Sequence, residues 1–147
     1  MVTITNRDLE SNVFETVYDF LKLQATDSEY QTGVQPTITA SYIDGDKEFP
    51  QIIVRSPDIG SNEYTFDRSS SLKSIVVIID IYTNNDPSNS KYGNKDRGTL
   101  SDDVEFFLGN KKIPGVSLFS IESTTNTPEI NGNKIYNKTK TFTYIRR

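Results

Sequence analysis

Leu72 to Thr83 reads Leu-Lys-Ser-Ile-Val-Val-Ile-Ile-Asp-Ile-Tyr-Thr. In an extended chain Ile75, Val77, Ile79 and Ile81 share one side, and Val76 and Ile78 lie on the other. A strand that is apolar on both sides belongs in the middle of a sheet, with its second side covered by a helix or by another subunit. The run Ile75 to Ile79 is also the longest strongly apolar stretch, far short of the roughly 20 residues of a membrane-spanning helix. Asp80 falls on the Val76/Ile78 side, near the strand end. A lone buried carboxylate there would be costly and would mark a site; its place in the strand leads us to expect it in solvent at the sheet's rim.

The segments around this strand alternate between helical and extended periodicity. Arg7 to Leu23 repeats Leu9, Val13, Phe14, Val17, Tyr18, Phe20 and Leu21 at spacings of three and four, which predicts a helix. Asn6 is its expected cap, Asp8 and Glu10 suit its first turn, and Glu15, Asp19 and Lys22 form a solvated face. A loop from Ala25 leads to Pro36. Thr37 to Ile43 and Phe49 to Arg55 read as strands, and the turn signal Asp44–Gly45–Asp46 between them predicts a hairpin. Asp44, Asp46 and Glu48 alternate as calcium ligands do, but the distal Glu of a calcium loop is missing, so a plain turn is the better reading. Pro50 belongs at a strand start, because it has no N–H to donate. Asp58 to Ser71 is polar and has room for a short strand.

Thr99 or Ser101 is the expected cap of a second helix, Leu100 to Asn110. Leu100, Val104, Phe107 and Leu108 line its apolar side, and Asp102, Asp103 and Glu105 sit in or near its first turn. Adjacent residues on a helix point to different sides, so Asp102 and Asp103 do not form a catalytic pair. Gly109 closes the pattern, followed by the turn Pro114–Gly115. Val116 to Glu122 alternates, with Val116, Leu118 and Ser120 on one side and Phe119 and Ile121 on the other. Asn131–Gly132 is a strong hairpin signal. Lys134 to Ile145 forms a long strand, with Tyr136, Phe142 and Tyr144 on one face. The small residues Thr139, Thr141 and Thr143 lie on the other with Ile135 and Ile145, as suits an exposed or subunit-facing surface. These elements predict one α+β domain over residues 1–147, a mostly antiparallel sheet of about four to six strands with two helices packed on it.

Composition narrows the chemistry. The chain has no Cys and no His, so disulfides, thiolate nucleophiles, thiolate-held zinc and the usual base near neutral pH are all missing. The expectation is a non-enzyme with no cofactor and no metal. Ser, Thr and Asn supply 15, 16 and 12 residues, and hydrophobic residues only 34%; the core is therefore thin, and much surface is left wet or covered by a partner. The formal net charge is −4. The N-terminus lacks the pattern of a signal peptide, so the expected place of synthesis is a cytoplasm, and the sequon Asn137–Lys138–Thr139 carries no weight. Asn84 to Arg97 reads as a long polar loop in which Lys91, Tyr92, Lys95 and Arg97 suit docking to protein better than nucleic acid. From Asn131 onward Lys134, Lys138, Lys140, Arg146 and Arg147 meet no acidic residue, whereas the N-terminal helix region is net acidic. Unlike ends of this kind suit a head-to-tail ring.

The element order, the Phe49-Pro-Gln-Ile-Ile-Val54 strand, the strand carrying Val77, Ile79, Ile81 and Tyr82, and the helix carrying Leu100, Asp102, Val104 and Leu108 resemble the tail-terminator and tail-completion (head-to-tail joining) proteins of tailed bacteriophages. Val77 stands where the family pattern has Ile. The resemblance implies a structural virion protein: a ring, usually a hexamer, at the head-proximal end of the tail tube. Such a ring is assembled in the host cytoplasm and contacts copies of itself, the tube protein and neck or connector proteins. DNA would pass through it without specific binding, which suits an acidic chain, and no membrane is involved. Candidate interface residues are Asp80, Tyr82, Lys91, Tyr92, Lys95, Arg97, Lys138 and Lys140. A non-catalytic binding module of a phage tail tip, baseplate or adhesin is the alternative, drawing on exposed Tyr and Asn. A carboxylate-based hydrolase built around Asp80 is a third reading, but no pair of acids has a spacing that calls for it.

Overall fold

The computed structural model describes residues 9–31, 35–40, 50–56, 63–64, 72–84, 93–127, 129–130 and 133–146. The cap Asn6, the Asp44–Gly45–Asp46 turn with its calcium reading, Lys91, Tyr92 and the Asn131–Gly132 pair lie outside the described residues.

In chain order the elements are α1 (Leu9–Thr26), β1 (Thr37–Ala40), β2 (Gln51–Arg55), β3 (Glu63–Tyr64), β4 (Leu72–Asn84), α2 (Gly93–Asn110), β5 (Val116–Asn126), β6 (Glu129–Ile130) and β7 (Asn133–Arg146). Five strands form the sheet in the order β1-β2-β4-β7-β5, and the short β3 and β6 pair with β4 and β7. Every pair is antiparallel except β1 with β2. The fold is α+β: two helices and a mostly antiparallel sheet.

β4 takes the central place that its two apolar faces require, hydrogen-bonded to β2 on one side and β7 on the other. Its Ile75, Val77, Ile79 and Ile81 are buried in one cluster with Val13, Val17 and Leu21 of α1, Leu100, Val104 and Leu108 of α2, and Phe142 and Tyr144 of β7. Both helices therefore lie on one face of the sheet. On the other face Val76 and Ile78 are only half-buried, whereas Gln51, Ile53 and Asp80 are buried.

The expected hairpin of β1 and β2 is not formed. The two strands run parallel, with Thr37 opposite Gln51 and Ala40 opposite Val54. A parallel pair requires the chain to return past the whole of β1. That distance is only about 13 Å for four residues at a strand's rise, and residues 41–50 easily span it. Pro50 sits just before β2, and its carbonyl accepts the Thr37 N–H at 2.9 Å, so a residue that cannot donate extends the ladder as an acceptor.

α2 is the second correction. It begins at Gly93 rather than Leu100, so the last five residues of the loop expected over Asn84 to Arg97 are helical, Thr99 and Ser101 are interior residues, and Asp102, Asp103 and Glu105 lie well past the first turn. The early turns are held by contacts with the sheet. The Thr83 hydroxyl donates to the Gly93 carbonyl at 2.5 Å, and Gly93 sits so close to β4 and β7 that a Cβ there would lie 2.9 Å from the Asn84 carbonyl carbon. Gly98 has no such reason to be glycine, since nothing lies within 4 Å of where its Cβ would be. Gly98→Ala is expected to stabilise the chain by about 0.5–1 kcal/mol, read as a higher denaturation midpoint, because alanine loses less backbone entropy in a helix.

β5 departs from simple alternation. Its register against β7 shifts between Leu118 and Ser120, so Phe119 is the extra residue of a bulge. The bulge places Ile121, not Ser120, with Leu118 against the core and leaves Phe119 70% exposed. Tyr30, within what reads as a polar loop, is buried. Its hydroxyl donates to the Leu21 carbonyl at 3.2 Å and its ring meets Phe107 edge-on at 5.0 Å. Next to it, the Gln31 backbone and side-chain amides each donate to the Asp103 carboxylate at 3.1 Å, tying the end of the first helical unit to α2.

Candidate functional site

The register across β2, β4 and β7 puts Ile53, Asp80 and Thr139 in one row, flanked by the rows Gln51–Tyr82–Asn137 and Arg55–Ile78–Thr141. These are the residues of the helix-free face. Asp80 does not reach solvent at a rim, as its position near the end of an apolar run led us to expect: it is 6% exposed. Its charge is met by Arg55, whose Nε donates to Oδ2 at 2.5 Å and whose Nη2 lies 3.5 Å from Oδ1. The Thr139 hydroxyl donates to Oδ1 at 2.7 Å. Register explains the difference. The side chains of Arg55 on β2 and Thr139 on β7 close on Asp80 from its two flanks, so this carboxylate is withdrawn from water and is stable only with partners. The Asn137 side-chain amide donates to the Ile81 carbonyl at 3.2 Å, fixing the adjacent row.

Tyr82 lies beside this pair, half-buried. Burial raises its phenol pKa above the ordinary 10.0, the nearby Asp80 charge adds to the rise, and Arg55 opposes it. Burial likewise pushes Tyr144 up to about 12 and raises Tyr30, with Asp103 adding to the latter. Tyr144 Oη has no hydrogen-bond partner among the described residues. The folded chain thus holds these phenolic protons more tightly than the unfolded chain does. The stability this contributes is complete below pH 10 and is lost as the pH rises from about 10 toward 12. A spectrophotometric tyrosine titration is expected to show a fraction that ionises only together with alkaline unfolding.

On the helix-covered face Lys140 stands opposite Ile79 and is 3% exposed. Its ammonium lies 3.4 Å from Glu105 Oε2 of α2 and donates to Ser123 Oγ at 3.2 Å. The aliphatic stem covers apolar surface while the charge reaches the layer's margin. Lys140 is thereby engaged inside its own chain.

Arg97 of α2 and Lys138 of β7 lie at one corner of the sheet. The Arg97 guanidinium lies over the Tyr136 ring, 5.4 Å from its centroid. Its Nη1 donates to the Asn126 carbonyl at 3.2 Å, Thr127 Oγ1 at 3.3 Å and the Asn137 carbonyl at 3.5 Å. Lys138 pairs across from Thr125, and Lys95 is exposed two residues before Arg97. The candidate residues that can be placed therefore divide into Asp80 with Tyr82 on the helix-free face, Arg97 with Lys138 at one corner, Lys95 exposed on the first turn of α2, and Lys140 under α2. Arg55, Thr139 and Asn137 complete the first group and escape sequence reasoning, because only the strand register brings them to Asp80. No helix is long and apolar enough to cross a membrane among the described residues. In comparisons with known proteins, no family model matches the chain, and no curated protein matches it.

Proposed function

We propose that the chain is the subunit of a ring at the head-proximal end of a bacteriophage tail tube, a tail-terminator or tail-completion protein that joins the tube to the neck. The ring is a homo-oligomer, a hexamer in the family it resembles, assembled in the host cytoplasm and carried in the virion. The observation that supports this reading is the unequal treatment of the two sides of the sheet. α1 and α2 both cover the Ile75/Val77/Ile79/Ile81 side, while on the other side Gln51, Ile53, Asp80 and Asn137 are buried and only the strip of Val76, Ile78 and Ile145 stays half-buried among threonines. A half-buried apolar strip of this kind is what a subunit offers to its assembly. The role is structural and non-catalytic, and DNA passes the acidic chain without being held.

Electron microscopy of the purified full chain, together with mass spectrometry of tailed particles that encode it, tests the reading. Closed rings with a central hole, and the chain present in the particles at the tube–neck junction, are expected. A protein that forms no ring and is absent from particles would refute it.

A further inference from the structure

We infer that the Arg55–Asp80 pair sets the register of β2 against β4. It selects one alignment of two strands whose apolar side chains accept more than one. The inference concerns the fold of the single chain and is independent of the ring reading.

Alternation ordinarily fixes a strand's register, since a slip by one residue carries its apolar set to the wrong face. β2 and β4 have little of that safeguard. Gln51, Ile52, Ile53 and Val54 are all buried, and β4 is apolar on both sides from Ile75 to Ile79. A slip by one exchanges Ile53 for Ile52 and Val54 on the core side. In the observed register Ile52 is opposite Ile81, Ile53 opposite Asp80 and Val54 opposite Ile79. A slip by two toward Val76 sets Ile52 opposite Ile79, Ile53 opposite Ile78 and Val54 opposite Val77, apolar against apolar throughout. A tight turn is the other usual guide, and it does not apply here. Residues 56–71 stand between the two strands, and β3 within them pairs with the start of β4.

What a slip misplaces is polar. Arg55 stands opposite Ile78 and reaches Asp80 diagonally, Nε to Oδ2 at 2.5 Å. The other carboxylate oxygen accepts from Thr139 of β7 at 2.7 Å, so Asp80 is held from the far flank and offers Arg55 a fixed target. A slip by one in either direction turns Arg55 to the helix-covered face, away from Asp80. The slip by two toward Val76 takes Arg55 four positions along β4 from Asp80, about 13 Å at a strand's rise. Asp80 is 6% exposed, so each of these slips leaves a desolvated charge without its cation. The opposite slip by two sets Arg55 level with Asp80 and keeps the pair, but apolar packing opposes it, because Ile52 moves from Ile81 to Thr83 and Ile78 and Ile79 lose their neighbours on β2. Pair and packing together leave one register, and packing alone does not.

Arg55→Met with Asp80→Val in the full chain removes the pair and leaves the apolar strands. Nuclear magnetic resonance of this double variant is expected to show two sets of backbone signals for residues 51–55 and 76–82. One set carries the cross-strand proton contacts of Ile53 with position 80, and the other those of Ile53 with Ile78; the native chain shows the first alone. Ile79→Ala is the control, since it removes core packing but keeps the pair, and it is expected to show a single set. One set of signals in the double variant, with Ile53 opposite position 80, would overturn the inference. A double variant that does not fold would also overturn it, because the pair would then be a support of the fold and not a selector among alignments. Equal splitting in Ile79→Ala would overturn it as well, by tracing the second set to lost stability.

Discussion

Arg55→Met is expected to lower the stability of the chain by about 2–4 kcal/mol, measured by urea denaturation, because it leaves the buried Asp80 carboxylate with Thr139 as its remaining side-chain donor among the described residues. Asp80→Val is expected to cost less: the Arg55 side chain is 36% exposed, so its guanidinium can turn to water once the partner is gone. The double substitution should be less destabilised than the Arg55 single variant, within about 1 kcal/mol of the native chain, since replacing both partners removes the uncompensated charge. If Arg55→Met alone were neutral, the pair would contribute nothing to the sheet and Asp80 would not depend on Arg55. The outcome also bears on assembly. The Arg55–Asp80 pair, beside buried Ile53 and half-buried Ile78, gives the helix-free face a fixed polar landmark.

The second large effect is a contrast between neighbours on β4. Ile79→Ala is expected to cost roughly 2–5 kcal/mol, because the side chain is fully buried among residues of both helices and a cavity would remain. Ile78→Ala, one residue away on the half-open face, is expected to cost under about 1.5 kcal/mol in the isolated monomer, since its site can collapse and water already reaches part of it. Equal losses at the two positions would mean that both sides of β4 are sealed within one chain.

The contrast follows from the part of the fold that a reader of the sequence can see. Alternation along Ile75 to Ile81 marks a central strand, the three- and four-residue spacing from Val13 to Leu21 marks α1, and the threonine alternation of β7 marks a strand with one quieter face. The strand pairing of β6 with β7 flanks Asn131–Gly132 as that dipeptide suggests. What stays hidden depends on tertiary contacts. The first turns of α2 carry Gly93 and Gly98 and no apolar repeat, so local propensity argues against a helix that the Thr83 hydroxyl and the Arg97 contacts hold in place. A turn signal between β1 and β2 is compatible with a hairpin or a crossover, and only the sheet decides between them. Tyr30 looks like one aromatic in a polar loop until α1 and α2 close around it. Asp80 and Arg55 are 25 residues apart, and nothing short of the β2–β4 register brings them together. The candidate site was legible in its basic and acidic segments, but not in which residues neutralise one another.

Light scattering of the full chain across a wide concentration range tests the central claim, the proposal that the half-buried Val76, Ile78 and Ile145 strip on the helix-free side of the sheet is covered by other copies of the chain. A concentration-independent mass that is a whole multiple of the 16.6 kDa chain, reduced to the monomer while the fold is kept when Ile78 is replaced by Asp, is the predicted result. A folded native chain that remains monomeric at the highest concentrations reached would contradict it.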